Sequence, residues 1–131
     1  MMRTDSPLEP EVEAIVQRTI GCCIAVHREL GPGLLESVYG KALCIELSEA
    51  ALPFETEKSF PVYYRGALLT TQRVDIVVGG AVLLEVKAVD GLVGIHRSQV
   101  LSYLRLSKLR VALLVNFNVR VLIDGLRRFV M

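Results

Sequence analysis

The chain has 131 residues, of which 52% are hydrophobic, with a mean hydropathy of +0.45 and a net charge of +1. This length and composition fit one compact domain, and they exclude a disordered chain and a protein that coats nucleic acid by bulk charge. No apolar run approaches the roughly 18 residues of a membrane-spanning helix, so we expect no contact with a membrane.

The first half of the chain predicts two helices. Residues 1–7 look like a flexible N-terminus, and residues 8–131 form the single predicted domain. Apolar residues recur at helical spacing over 8–29 and again over about 34–50. The segment "LGPG" at 30–33 separates the two helices, because a Gly-Pro-Gly sequence continues neither a helix nor a strand.

The second half of the chain is predominantly β-structure by composition, since its segments are rich in aromatic and β-branched residues. The predicted elements are strands at 58–66, 67–78 and 81–89, a helix at 96–108 and a strand at 110–117. The tail after residue 117 adds a strand or a short helix. The order α-α-β-β-β-α-β predicts an α/β (α+β) domain, and the high hydropathy favours a sheet covered on both faces and an oligomer interface.

One predicted hairpin, "RVDIVVGGAVLLEVKAV" at 73–89, carries four charged residues in an apolar sequence: Arg73, Asp75, Glu85 and Lys87. Burial of a charge is costly unless the charge is paired or bound to a metal. A two-residue Gly-Gly loop would place the two carboxylates on opposite faces of the sheet. A three-residue loop would instead place Asp75 opposite Glu85, and Arg73 opposite Lys87.

The three-residue register predicts a metal site. The two carboxylates would lie about 5 Å apart, and Mg²⁺ or Mn²⁺ between them would remove their repulsion. Lys87 would reach the same cleft, and a metal-activated water beside an ammonium group suits phosphodiester hydrolysis. The alternative is that Asp75 is a structural partner of Arg73 or Arg97, and that the Glu-x-Lys tripeptide marks a solvated strand face.

Two further segments supply polar side chains. The segment "HRSQVLSYL" places His96, Gln99 and Tyr103 on one face of its helix. These side chains either reach over the carboxylates or form the solvent-exposed face of the helix. Glu36 lies in the first turn of the second helix, where the helix dipole alone favours a carboxylate. The preceding "GPG" is either an anion cradle or a plain turn.

Charge and cysteine content bear on partners and location. Residues 1–65 hold 6 Lys+Arg and 10 Asp+Glu, whereas residues 66–131 hold 9 and 4. The basic half therefore faces a polyanion, docks on the acidic half of another subunit, or is simply solvated. Cys22, Cys23 and Cys44 have no CxxC spacing and are expected to be buried thiols in a reducing cytoplasm.

With these segments in view, the chain resembles the GxxExxY proteins, a family placed in the PD-(D/E)xK nuclease superfamily. The segments that carry the resemblance are "HRELGPGLLESVYGKAL", "RVDIVV", "LLEVKAV", "HRSQVLSYL" and "LLVNFNV", and they cover roughly residues 10–130. Gly33, Glu36 and Tyr39 match the motif that names the family. The resemblance implies a restriction-endonuclease-like core, in which helices flank a mixed central β-sheet.

The resemblance also implies a set of catalytic residues. That set is Asp75, Glu85, Lys87, Glu36, Gln99 and Tyr103, of which Asp75, Glu85 and Glu36 hold Mg²⁺ or Mn²⁺. Lys87 serves the water or the scissile phosphate, and Gln99 with Tyr103 matches a QxxxY element. One departure is that Val74, not proline, precedes Asp75.

The sequence therefore predicts a Mg²⁺-dependent nuclease that acts on nucleic acid in the cytoplasm as a homodimer. The predicted nucleic-acid contacts are Arg73, His96, Arg97, Arg105 and Lys108. One alternative is a non-catalytic dimeric binding or regulatory protein on the same scaffold. Another is an enzyme acting on a nucleotide in a closed pocket, with the "GPG" segment as its anion cradle.

Overall fold

The computed structural model describes residues 8–131, so the predicted flexible N-terminus at 1–7 lies outside the described residues. The elements are helices α1 (Pro10–Leu30), α2 (Glu36–Glu49) and α3 (Gly94–Ser107), strands β1 (Phe54–Tyr64), β2 (Ala67–Val78), β3 (Val82–Lys87), β4 (Val111–Asn116) and β5 (Leu126–Val130), and a short 3₁₀-helix (Leu122–Gly125). The predicted order α-α-β-β-β-α-β is confirmed, with β5 added at the end.

The strands form one mixed sheet in the order β1-β2-β3-β4-β5. Neighbouring strands are antiparallel except β3 and β4, which are parallel because α3 connects them by a crossover. This mixed sheet flanked by helices is the restriction-endonuclease-like fold that the resemblance implied, and it confirms the predicted fold class.

Helices cover the central strands on both faces. Helices α1 and α2 pack on one face through side chains such as Val16 and Leu43, and α3 packs on the other through Val100 and Leu104. The first five residues of β3 and all six of β4 are buried, as the continuous apolar runs in their sequences indicate. The predicted two-sided burial is therefore present in β3 and β4.

Some boundaries differ from the prediction. Strand β1 begins at Phe54, four residues before the predicted start, because the polar sequence "FETEK" forms an exposed edge strand paired with the end of β2. Helix α3 begins at Gly94, where Val93 supplies the N-cap. The tail contains both a 3₁₀-helix and a strand, whereas the sequence left these as alternatives.

All three cysteines are free thiols. Cys22 and Cys23 are buried and Cys44 is half-buried, so the expectation of buried thiols holds fully for two of them. Within residues 8–131, no helix is both long enough and apolar enough to cross a membrane.

Candidate active site

The β2–β3 hairpin has the three-residue loop. Val78 pairs with Val82, and the backbone ladder stops two residues further on, where Ile76 pairs with Leu84. The loop requires two consecutive residues with positive φ, and Gly79 and Gly80 supply them at 61° and 64°. The register that places Asp75 opposite Glu85 is thus the one in the structure.

Asp75 and Glu85 lie just beyond the last backbone pair, and their carboxylates bridge the opening strands. The main-chain N–H of Asp75 donates to Oε1 of Glu85 at 3.0 Å. The N–H of Val86 donates to Oδ2 of Asp75 at 2.8 Å. Each carboxylate thereby replaces a ladder bond that the diverging backbones no longer make. The two carboxyl groups also interact with each other, because a side-chain hydrogen bond with Asp75 contributes to the raised pKa of Glu85.

The electrostatics of this pair favour a cation. Glu85 is only 4% exposed. Burial, followed by the negative charge of Asp75, raises the pKa of Glu85 from 4.5 to about 8, and the ammonium of Lys87 only partly opposes this. Two adjacent carboxylates of which one is buried resist simultaneous ionisation, and a positive ion beside them relieves that repulsion.

Helix α3 brings two of the predicted polar residues to the same end of the sheet. Nζ of Lys87 donates to Oε1 of Gln99 at 3.4 Å. The hydroxyl of Tyr103 accepts a 3.3 Å hydrogen bond from Nε2 of Gln72 on β2. Burial and the negative charges of Glu85 and Asp75 together raise the pKa of Tyr103. The phenol therefore lies within electrostatic range of both carboxylates.

Asp75 also lines an open groove of about 520 Å³ between α2 and the sheet, with Glu36 on its helical side. The groove is lined by Glu36, Ser37, Gly40, Lys41 and Cys44 of α2 and by Thr56, Glu57, Asp75, Ile76 and Val86 of the sheet. In the described part of the chain, no three His, Cys, Asp or Glu side chains form a metal-binding group. The geometry unites Asp75 with Glu85, and the role of Glu36 as a third ligand stays a prediction.

Tyr39 fixes the loop that leads into α2. Its hydroxyl donates to the carbonyl oxygen of Gly31 at 2.6 Å and accepts from the N–H of Leu34 at 3.1 Å. Its ring is fully buried and stacks on Phe117 with the ring centroids 4.6 Å apart. This arrangement accounts for the "GPG" segment as a turn held by Tyr39, which sets where α2 and Glu36 begin.

Two predicted nucleic-acid contacts make local interactions near the site. Arg73 pairs with Ser59 in the β1–β2 ladder, and its guanidinium donates to Glu57 at 3.0 Å instead of lying in a ladder opposite Lys87. Nδ1 of His96 accepts the N–H of Val93 at 3.0 Å and so caps the start of α3. Their roles toward nucleic acid stay predictions.

The structure does not gather the other three predicted contacts around the carboxylates. The guanidinium of Arg97 lies over the ring of Phe129 on β5, 5.9 Å from its centroid. Arg105 donates to Ser102 on its own helix. Lys108 is the C-cap of α3 and precedes β4. Strand β4 begins beside Val82, which is at the other end of β3 from Lys87.

Sequence reasoning missed two residues that shape the site. Glu57 lies in β1 between the residues that pair with Ile76 and Val74, directly across from Asp75, and has a φ of 51°. Nothing in its sequence context signals this left-handed backbone. Asn116 is 2% exposed, and its side chain donates to the carbonyl and accepts the N–H of Val89, both at 3.0 Å. The sequence signal for Asn116 is an amide side chain within the mainly apolar run "RVALLVNF".

The fold and the acidic pair are the features that the resemblance to PD-(D/E)xK nucleases implied, and comparison with known protein families gives the same assignment. A family model of the PD-(D/E)XK nuclease superfamily matches residues 13–129, which include every residue of the candidate site. The chain belongs to the PD-(D/E)XK nuclease superfamily, and this membership indicates a nuclease function with nucleic acid as its ligand. No curated protein and no solved structure matches the chain at a significant level.

Proposed function

We propose that this protein is a divalent-metal-dependent nuclease whose reaction centre is the open end of the β2–β3 ladder. The observation that carries the proposal is the bridged pair of Asp75 and Glu85. One oxygen of each carboxylate accepts a main-chain N–H, and the two groups are close enough for the charge of Asp75 to raise the pKa of Glu85. The carboxylates are therefore fixed in place and still have oxygen lone pairs that can coordinate a cation.

The donor set fits Mg²⁺ or Mn²⁺. Carboxylate oxygens are hard ligands, and Mg²⁺ in phosphoryl-transfer sites commonly takes one or two carboxylates and fills its other positions with water and phosphate oxygens. Asp75 and Glu85 would hold the ion, with Glu36 as the predicted contribution from α2. When bound, such an ion lowers the pKa of a water and neutralises charge on the phosphoryl group.

The remaining side chains act directly on the substrate. Lys87 is oriented by Gln99 and presents an ammonium beside the carboxylates, where it would contact the scissile phosphate or the attacking water. Tyr103, held by Gln72, would position the backbone from the α3 side. A fixed cation next to developing negative charge on the phosphate stabilises the transition state.

Metal titration and cleavage test this proposal together. We expect calorimetric binding of Mn²⁺ to the wild type, loss of that binding in Asp75→Asn, and wild-type binding in Glu55→Gln, whose carboxylate pairs with Lys58 on the exposed edge strand. Mg²⁺-dependent cleavage of DNA or RNA should follow the same pattern. Absence of both metal binding and cleavage in the wild type at millimolar metal would contradict the nuclease assignment.

A ridge on α2 supports the predicted homodimer. Leu35, Val38 and Ile45 are 74%, 38% and 60% exposed, and with Ala42 they follow the 3-4-3 spacing of a helix-pairing seam. Ala42 also packs against the core, whereas the other three side chains are exposed. None of the four lines the groove, so a second copy can pack on the ridge without closing it. Ile45→Glu should sediment as a monomer, whereas Ser48→Glu, at an exposed position on the same helix, should stay dimeric.

The cytoplasmic location remains a proposal. Its support is the three free thiols, two of them buried, in a chain whose described residues contain no disulfide. Unpaired thiols persist in a reducing compartment. Fractionation of cells that express the tagged protein would test this directly.

A further inference from the structure

The β1–β2 hairpin continues well beyond the rest of the sheet. Only Ile76, Val77 and Val78 of β2 pair with β3, whereas β2 pairs with β1 along almost its whole length. Residues 61–71, here called the arm, are all exposed except Val62, which is half-buried. The arm therefore projects as a two-stranded ribbon with solvent on both faces.

The arm extends from the end of the sheet that holds the acidic pair. Moving along β2 away from the β2–β3 loop, Asp75 comes directly after the last residue paired with β3, and the arm follows. Gln72, at the base of the arm, contacts Tyr103. A polymer bound at Asp75 and Lys87 can therefore continue onto the arm.

The surface of the arm is aromatic and aliphatic. Tyr63 and Tyr64 are each 61% exposed, and Leu68 and Leu69 are 58% and 62% exposed. Arg65 at the turn lies over the ring of Tyr64, 5.6 Å from its centroid, and is the one charged residue within the arm. Because neighbouring residues of a strand alternate, the two rings lie on opposite faces of the ribbon. Each exposed ring is a separate platform for one unpaired base, and the guanidinium of Arg65 adjoins that of Tyr64.

Duplex nucleic acid and a second copy of the chain fit this surface less well. A ribbon that reads a duplex groove needs hydrogen-bonding side chains and many phosphate contacts, whereas the tip offers rings and a single cation. Two arms packed tip to tip would bring their Arg65 side chains together with no acidic residue in either arm. The ridge on α2 already offers a surface for a second copy.

We propose that the arm stacks unpaired bases through Tyr63 and Tyr64, so that the substrate is a nucleic acid with a single-stranded segment next to the scissile bond. The inference rests on the proposed nuclease function for the position of the scissile bond. The stacking itself requires no cleavage, so binding and cleavage can be measured separately.

Fluorescence anisotropy in EDTA measures the binding without cleavage. The probes are a fluorescein-labelled single-stranded oligodeoxynucleotide of mixed sequence and the same strand in a duplex. We expect the single strand to bind more tightly, and the double variant Tyr63→Ser/Tyr64→Ser to bind it about 5- to 100-fold more weakly, as the loss of one or two stacked bases predicts. Tyr63→Phe/Tyr64→Phe keeps both rings and should keep the affinity.

The matched control is Leu68→Ser/Leu69→Ser, which removes equally exposed apolar side chains from the same arm but no ring. Its affinity for the single strand should change less than that of the tyrosine double variant. Because all four side chains are exposed, thermal unfolding should be the same for every variant, and this measurement verifies that each variant is folded.

Two results would overturn the inference. One is a wild type that binds the duplex as tightly as the single strand or binds neither, and the other is a serine variant with wild-type affinity for the single strand. If that serine variant also changed its sedimentation, the arm would be a protein–protein contact. Asp75→Asn separates the two proposals, since it should abolish cleavage and keep single-strand binding in EDTA. Tyrosine-dependent binding without any cleavage would leave the stacking surface intact and remove the nuclease function.

Discussion

The main-chain N–H of Asp75 donates a 3.0 Å hydrogen bond to Oε1 of Glu85 across the open end of the β2–β3 ladder. This contact ties the acidic pair to the point where two buried strands separate. The fold thereby holds two carboxylates close together, and the repulsion between their charges lowers the stability of the folded protein. This repulsion has measurable consequences.

Replacement of Glu85 by glutamine should remove a pH dependence of stability. The folded state raises the pKa of Glu85 from 4.5 to about 8, so the folded protein binds this proton more tightly than the unfolded chain does. The corresponding stability is present below pH 4.5 and is lost as the pH rises through about 8. In urea titrations in EDTA between about pH 5 and pH 9, the wild type should lose stability. Glu85→Gln should lose less and be the more stable protein at the alkaline end.

The control for this experiment is Glu55→Gln, which removes an exposed carboxylate and should keep the wild-type pH dependence. Addition of Mg²⁺ should restore the alkaline stability of the wild type and leave Glu85→Gln unchanged, since bound cation stabilises the ionised pair. Identical pH profiles for the wild type and Glu85→Gln would show that burial of this carboxyl does not govern the titration.

Lys87→Met should separate binding from chemistry. The substitution keeps the aliphatic stem and removes the ammonium that Gln99 orients, so metal binding should persist while kcat for cleavage falls by about 10²- to 10³-fold. Single-turnover cleavage in Mg²⁺ measures the effect. Lys58→Met, which removes an ammonium that pairs with Glu55 on the exposed edge strand, is the control and should cleave like the wild type. A Lys87→Met protein with wild-type kcat would exclude the ammonium from the reaction.

The sequence identified candidate residues for the site but did not determine which of them come together. Alternation within the strands and the Gly79–Gly80 pair left two registers, and only the three-residue loop joins Asp75 to Glu85. The choice depends on the loop backbone, which local propensity does not fix. The structure also breaks the alternation at Asp75, because Val74 and Val77 both pack toward α3. That irregularity arises where β2 leaves β3, so it is a consequence of tertiary structure.

Residues whose partners lie far away in the chain were the hardest to assign. The guanidinium of Arg97 lies over Phe129, in a tail for which the sequence left strand and helix open. Likewise, Asn116 acts through Val89, 27 residues away. Composition and period identify the elements, whereas contacts of this kind depend on how the elements pack.

Asn116→Leu should destabilise the fold and misplace the segment after Lys87. The buried amide satisfies the N–H and the carbonyl of Val89, and a leucine of similar size satisfies neither. We expect a loss of about 2 kcal/mol in the free energy of unfolding, measured by urea titration with an unchanged m-value. Asn118→Ala removes one 3.3 Å hydrogen bond to the same carbonyl and should cost less. Equal losses in the two variants would show that the two hydrogen bonds between Asn116 and Val89 add no stability beyond the single bond of Asn118.

Tyr39→Phe tests how the "GPG" turn supports the site. The substitution keeps the ring stacked on Phe117 and removes the hydroxyl that holds Gly31 and Leu34. We expect a loss of about 1 kcal/mol in the free energy of unfolding. If Glu36 is a metal ligand, calorimetry should also show weaker Mn²⁺ binding in both Tyr39→Phe and Glu36→Gln. Wild-type Mn²⁺ affinity in both variants would leave Asp75 and Glu85 as the whole carboxylate set, with Tyr39 acting only on the stability of the turn.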